Sequence, residues 1–360
     1  MRYDESWTFL FYVLPRKLSP ALVYSAPNNH ILHTLLVAAA SWLAGDGPVA
    51  LRMPAFLAGV AIIPAVAHLA TVLSGRRLAG LLTAALVASS GTLVEYSVNA
   101  RGYSLVYLAA VVLTERTARI ARDVRPRGPW IVWALVATVG LITIPVMLYP
   151  IAVLAAVIVL QAFLGPADAA ARRLALRRLG TTLAWTAVLA GLLYVPVVYA
   201  TGLVITHGKE AARASPVAVY GSGLQALLAN PFLAPKTLSE AAAGLTLIAG
   251  ETAAIMRRDM SWVGWILVAL GLVAAVVVGL RQRRVLYLVP LLLPAVLAVL
   301  ALAQRVVPFT RVWLFAVPLF LAVASCGLVG LAWRSPPGRL RGSAVAVVTL
   351  AVVAVTAHAA

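Results

Sequence analysis

Two adjacent carboxylates, Asp4 and Glu5, open the chain within Arg2-Tyr3-Asp4-Glu5-Ser6-Trp7. Charge near a bilayer is tolerated when it is solvated, paired or used. The pair therefore reads either as a solvated N-terminal turn or as a general base that takes a proton from a hydroxyl. Pro27-Asn28-Asn29-His30, with His33 close behind, offers amide and imidazole groups that bond hydroxyls, although Asn-Asn after proline also makes a turn or a helix cap. His30 and His33 alone lack the third ligand that a metal site needs. Asn99-Ala100-Arg101-Gly102-Tyr103 and Pro308-Phe309-Thr310-Arg311 each set an arginine at the end of an apolar stretch, and Arg305 is a third. A guanidinium there grips a phosphate with its fork of donors, or it snorkels to lipid headgroups. Glu95 lies just inside an apolar stretch, where it needs a partner such as Arg101 or Arg52.

The elements that must position these groups are membrane helices. The chain is 62% hydrophobic and 11% charged, with a mean hydropathy of +0.97, which excludes an ordinary soluble domain. The lone cysteine, Cys326, provides neither an internal disulfide nor a cysteine metal site. A net charge of +18 raises nucleic acid as a partner, but the basic residues cluster in short loops between apolar runs, the pattern of membrane topology. No nucleic-acid partner is expected. No cleavable signal peptide is visible at the start. The 360 residues read as a single integral membrane domain.

A span needs about 20 mostly apolar residues. Ten stretches qualify, roughly 50–74, 78–97, 103–118, 129–145, 147–164, 180–202, 261–280, 285–303, 312–333 and 343–358. The shorter run 31–44 suits an interfacial or re-entrant helix in a first external segment, 1–49. Threaded alternately, one set of loops holds 17 Arg against three acids, and the other set 12 Lys or Arg against eight acids. The positive-inside rule makes the first set cytoplasmic. Asp4, Glu5, the Asn99–Tyr103 segment, a long loop 203–260 and the segment before Arg311 then lie outside. The chain would begin outside with no preceding helix, so a lost upstream helix is expected. No phosphate-cradling glycine loop, nucleophile elbow or zinc-protease motif occurs.

The matching text is Tyr3-Asp4-Glu5, Pro27-Asn28-Asn29-His30 before a short helix, Leu51-Arg52-Met53-Pro54, Gly75-Arg76-Arg77-Leu78, and Tyr96 through Asn99-Ala100-Arg101-Gly102-Tyr103. In order and spacing over residues 1–110, it resembles the GT-C glycosyltransferases, in the branch of protein O-mannosyltransferases and aminoarabinose transferases. Beyond that the likeness is topological, together with Arg311-Val312-Trp313, where relatives more often carry an aromatic directly after the arginine. The resemblance implies an all-α polytopic bundle whose usual first span is missing here, and a polyprenyl-phosphate sugar as donor. Asp4 would be the base and Glu5 would orient the acceptor hydroxyl. Asn28, Asn29, His30 and Tyr103 would help bind substrate, and Arg101 with Arg311 would hold the phosphate.

Transfer would proceed with inversion, since attack comes from the face opposite the leaving group. No cofactor or metal is expected. The partners would be the lipid-linked donor, membrane lipids, and a protein, glycan or lipid acceptor. The Ala- and Arg-rich composition points to a bacterial plasma membrane, with the site on its outer face. The alternatives are a transporter or flippase, which would place ionisable groups near mid-membrane, and a catalytically degenerate relative.

Overall fold

The computed structural model describes residues 3–24, 29–165, 168–211, 237–304 and 310–334, and among these the chain is helical throughout, with no strand. It begins with a short helix α1 (Tyr3–Thr8) that widens into a π-helical turn, Phe9–Val13, closed by Leu14 N–H donating to the Phe9 carbonyl at 2.8 Å. Such turns are rare, and many lie at functional sites. A single-turn helix α2 (Leu18–Leu22) and the apolar α3 (Ile31–Ala44) complete the first segment. Helix α3 has 14 residues, about 21 Å at 1.5 Å per residue, too short to cross hydrocarbon of about 30 Å upright.

The bundle follows: α4 (Pro48–Ser74), α5 (Arg77–Ala88), α6 (Gly91–Ser97), α7 (Tyr103–Arg122), α8 (Gly128–Thr143), α9 (Leu148–Leu164), α10 (Ala169–Ala211), α11 (Leu238–Asp259), α12 (Trp262–Gln282), α13 (Val289–Gln304) and α14 (Ala316–Arg334). Among the described residues, five helical segments are long and apolar enough to cross a membrane, or six if the bent pair α5–α6 counts as one. Helices α8 and α14 are apolar but shorter. Helix α7, predicted as a span, carries Glu115, Arg116, Arg119 and Arg122 in its second half. The predicted stretch 343–358 lies outside the described residues.

Two predicted boundaries move for identifiable reasons. The stretch 78–97 is not one rod, because α5 and α6 meet at a bend of 68°. The break falls at Ser89-Ser90. The Ser90 hydroxyl accepts from Leu93 N–H at 3.3 Å as an N-cap, and Asp259 of α11 takes the Ser90 hydroxyl at 2.7 Å and the Thr92 N–H at 2.9 Å. A carboxylate at a helix start satisfies donors that a continuous helix would bond internally. The predicted loop 203–260 also contains helix. Helix α10 runs on to Ala211, and α11 starts at a capping box in which Thr237 and Glu240 each bond the other's backbone N–H. Residues 212–236 of that loop lie outside the described residues.

The core runs through α4, α5, α7, α8, α9, α12 and α14, around Trp133, Tyr107, Phe315 and Met147. Trp133, fully buried, donates its indole N–H to Thr117 at 3.2 Å, so its polar handle is satisfied. Helices α12 and α14 touch backbone to backbone at Gly271 and Gly327, where a Cβ on either would strike the other helix's main chain. Small residues at a crossing permit that close approach. This framework fixes the ends of α4 and α7, from which the site is built.

Candidate functional site

The site grows from the turn between α6 and α7. Its three successive backbone N–H groups each have their own partner. Ala100 N–H donates to Glu5 Oε1 at 2.8 Å, Arg101 N–H to the Asn99 carbonyl at 2.7 Å, and Gly102 N–H to His30 Nδ1 at 2.9 Å. The middle bond spans two residues, the geometry of a γ-turn. The outer two bring in side chains from near the start of the sequence, 95 and 72 residues away. The turn is thus held from two sides by residues singled out in the sequence for their chemistry.

Glu5 is 3% exposed, and its carboxylate is engaged. Arg52 of α4 grips it with both edges of the guanidinium, Nε to Oε1 at 3.1 Å and Nη2 to Oε2 at 2.9 Å. A bidentate pair of this kind is strong and directional. With the Ala100 N–H added, Glu5 ties α1 to α4 and to the α6–α7 turn. Asp4 stands beside it in α1; its side chain lies outside the description, as do Asn28 and Arg305 altogether.

Asn29 is fully buried and spends its amide on the chain itself. Its NH₂ donates to the Ala21 and Val23 carbonyls at 2.9 and 2.7 Å, and its oxygen accepts from the Thr34 hydroxyl at 2.7 Å. Both donors are consumed, so Asn29 fastens α2 to α3 rather than presenting donors outward.

His30 is buried just before α3. Because Nδ1 accepts from Gly102, the proton of the neutral ring sits on Nε2. That nitrogen lies 3.5 Å from Arg101 Nη2, so two donors stand side by side. Burial, then the Arg101 guanidinium, then His33 and Arg311, hold His30 well below its usual 6.5. Burial and Arg101 likewise bring His33 down to about 3. Both rings are therefore neutral at physiological pH. His33 Nε2 is buried with no hydrogen-bond partner among the described residues.

Arg101 is only 3% exposed, which excludes the snorkelling role considered for it. Its guanidinium lies 5.8 Å from the centre of the Tyr103 ring, within cation–π range. Tyr103 packs edge-on to His30 at 5.1 Å and to Tyr96 at 5.4 Å. Tyr107, one turn further along α7, donates its hydroxyl to the Arg311 carbonyl at 3.3 Å. That bond spans 204 residues and brings the Thr310–Val312 turn to the same cluster. Gly102 is needed here, since a Cβ would sit 2.9 Å from the Thr143 methyl and 3.2 Å from the Cβ atoms of His30 and His33.

Glu5, His30, Arg101, Tyr103 and Arg311 are thus brought to one end of the bundle, while Asn29 sits beneath them in a structural role. Sequence reasoning missed Tyr107, although its spacing of four from Tyr103 puts both on one helix face. It quoted Arg52 without seeing it as the partner of Glu5. Glu95 is paired with Arg258 at 2.9 Å, a contact across 163 residues that no local pattern announces. Comparison with known proteins adds no second source for the site: no protein-family model matches the chain, and no curated protein matches it significantly.

Proposed function

We propose that the chain is a GT-C-like glycosyltransferase of about ten spans, moving a mannose- or pentose-like sugar from a polyprenyl phosphate to an acceptor hydroxyl outside the membrane. The observation that carries this reading is the clamped Arg101 turn, which sets a buried guanidinium beside the Nε2–H of a neutral imidazole. Two donors held 3.5 Å apart suit a phosphate oxygen that gains charge as its bond to the sugar breaks. Arg311, across the tyrosine cluster, adds positive charge to the same region.

In the reaction, the acceptor oxygen forms a bond to the anomeric carbon, and the carbon–oxygen bond to phosphate breaks with its electron pair leaving on phosphate. The acceptor's proton passes to the base. Glu5 is committed to Arg52 and Ala100, so the base is Asp4 and Glu5 is a positioning residue. His30 contributes as a donor and Tyr103 as a wall.

The test is transfer from a labelled polyprenyl-phosphate sugar in membranes containing the protein. Asp4→Asn is expected to lower release of polyprenyl phosphate by about 10²–10⁴-fold at an unchanged protein level. Wild-type turnover that Asp4→Asn leaves intact would remove Asp4 as base, and no turnover with any common donor would remove the transferase reading.

A further inference from the structure

The other end of the bundle carries a second candidate site, on a face that no element among the described residues covers. Helix α10 is the least buried of the five long apolar helices, with 17% of its most apolar window inside the protein. Between it and α8 runs a groove of about 430 Å³, bounded at one end by Arg127 and Arg178 and continued by Ile131, Leu135, Trp185 and Leu189. From Arg178 to Leu189 is 11 residues of helix, about 16 Å at 1.5 Å per residue. That matches one leaflet of hydrocarbon, about half of 30 Å. Trp185, at 62% exposure, stands on the rim two turns below the arginines. Arg178 is fixed, because its Nη1 donates to the Val124 carbonyl at 2.7 Å and to the Pro126 carbonyl at 3.1 Å. Arg127 is exposed beside it.

A charged head above an apolar slot of leaflet depth has the shape of a phospholipid. The charges decide which kind: Arg127 and Arg178 line the head of the groove, none of its lining residues is acidic, and Asp123 in the preceding turn accepts from the Arg125 N–H at 3.0 Å. We propose that the α8–α10 groove binds an anionic glycerophospholipid, with its phosphate between Arg127 and Arg178 and an acyl chain along Trp185 and Leu189. The occupant belongs to the leaflet at the arginine-rich end, and the site is independent of the proposed transfer reaction.

The experiment uses the full chain in detergent, titrated with phosphatidylglycerol or phosphatidylcholine carrying brominated acyl chains. The signal is the tryptophan quenching that Trp185→Phe removes. Phosphatidylglycerol is expected to quench Trp185 at markedly lower concentration than phosphatidylcholine. Arg127→Gln should reduce that preference about fivefold, the worth of one basic residue near an anionic headgroup. Arg127→Lys should keep it. Equal quenching by the two lipids, or a preference that survives Arg127→Gln unchanged, would overturn the proposal. So would protection of Trp185 from both lipids with cross-linking between copies at position 185, which would give the groove to a second chain.

Discussion

The two ends of this bundle handle charge in opposite ways. At the end holding Arg101, polar groups are buried and bonded across long separations in sequence. Glu5 reaches Arg52 and Ala100, His30 reaches Gly102, and Tyr107 reaches Arg311. At the arginine-rich end, the arginine–carboxylate pairs among the described residues are local. Glu115 pairs with Arg116 and Arg119 on its own helix, while Arg178 reaches the 124–126 turn from another helix, 52 to 54 residues away. Local pairs cost little ordering and hold one helix in place, whereas long-range buried bonds fix elements relative to one another. The first end is built for position and the second for topology.

Breaking the comparison at its strongest point means removing Arg101. If its guanidinium stabilises the departing phosphate, Arg101→Ala should cost about 10²–10³-fold in kcat, the usual loss for one transition-state donor. Arg101→Lys should restore only part, because a point charge cannot reproduce the fork. Single-turnover release of polyprenyl phosphate measures both. Equal losses of folded protein and activity would instead make Arg101 a structural residue.

The next effect in size separates position from chemistry at Glu5. Arg52→Met leaves a buried carboxylate short of its main partner, and should destabilise the fold by about 2–3 kcal/mol. Adding Glu5→Leu should recover part of that loss, since the buried carboxylate that lost its bidentate partner is then gone. Thermal melts of the two variants in detergent decide it. Recovery of stability without recovery of transfer is the pattern of a positioning residue.

Much of this was legible before the fold. Apolar runs delimited α4, α9, α12 and α13, and located α10 without its ends, because burial in lipid demands length and hydrophobicity that few soluble segments share. Asp4-Glu5, Asn29-His30 and Arg101-Tyr103 stood out as polar islands among those runs, and the turn at Ala100 joins two of them through Glu5 and His30. The bend at Ser90 was not legible, since it depends on Asp259, a residue 169 positions away. Nor was the role of Asn29, whose amide spends its donors on Ala21 and Val23. Side-chain bonds to backbone follow from tertiary position, which period and composition do not encode.

A smaller effect lies in pH. His33 takes a proton near 6.5 when unfolded and only near 3 when folded. Between those values the unfolded chain binds more protons, so stability falls as pH falls below 6.5. The slope from this one group is at most about 1.4 kcal/mol per pH unit, or about 2 kcal/mol between pH 6.5 and 5. Melting temperature should therefore drop over that interval, and His33→Leu should flatten the drop while leaving the α3 backbone in place. A slope unchanged in His33→Leu would show that other groups, His30 and the carboxylates among them, set the acid limit.

The smallest effect belongs to the arginine-rich end, and it sharpens the contrast. Arg119 is well exposed and pairs with Glu115 one helical turn away. Helical pairs at this spacing contribute about 0.3–0.5 kcal/mol, and Arg116 and His68 remain beside the buried carboxylate. Arg119→Ala should therefore move the melting temperature little and leave transfer untouched. Raising salt should change it little as well, because a pair that contributes little has little to lose. A loss of several degrees for Arg119→Ala, comparable to that of Arg52→Met, would mean that Glu115 is as dependent on its partner as Glu5 is. The two ends would then differ only in which residues they use, and locality of pairing would no longer separate topology from positioning.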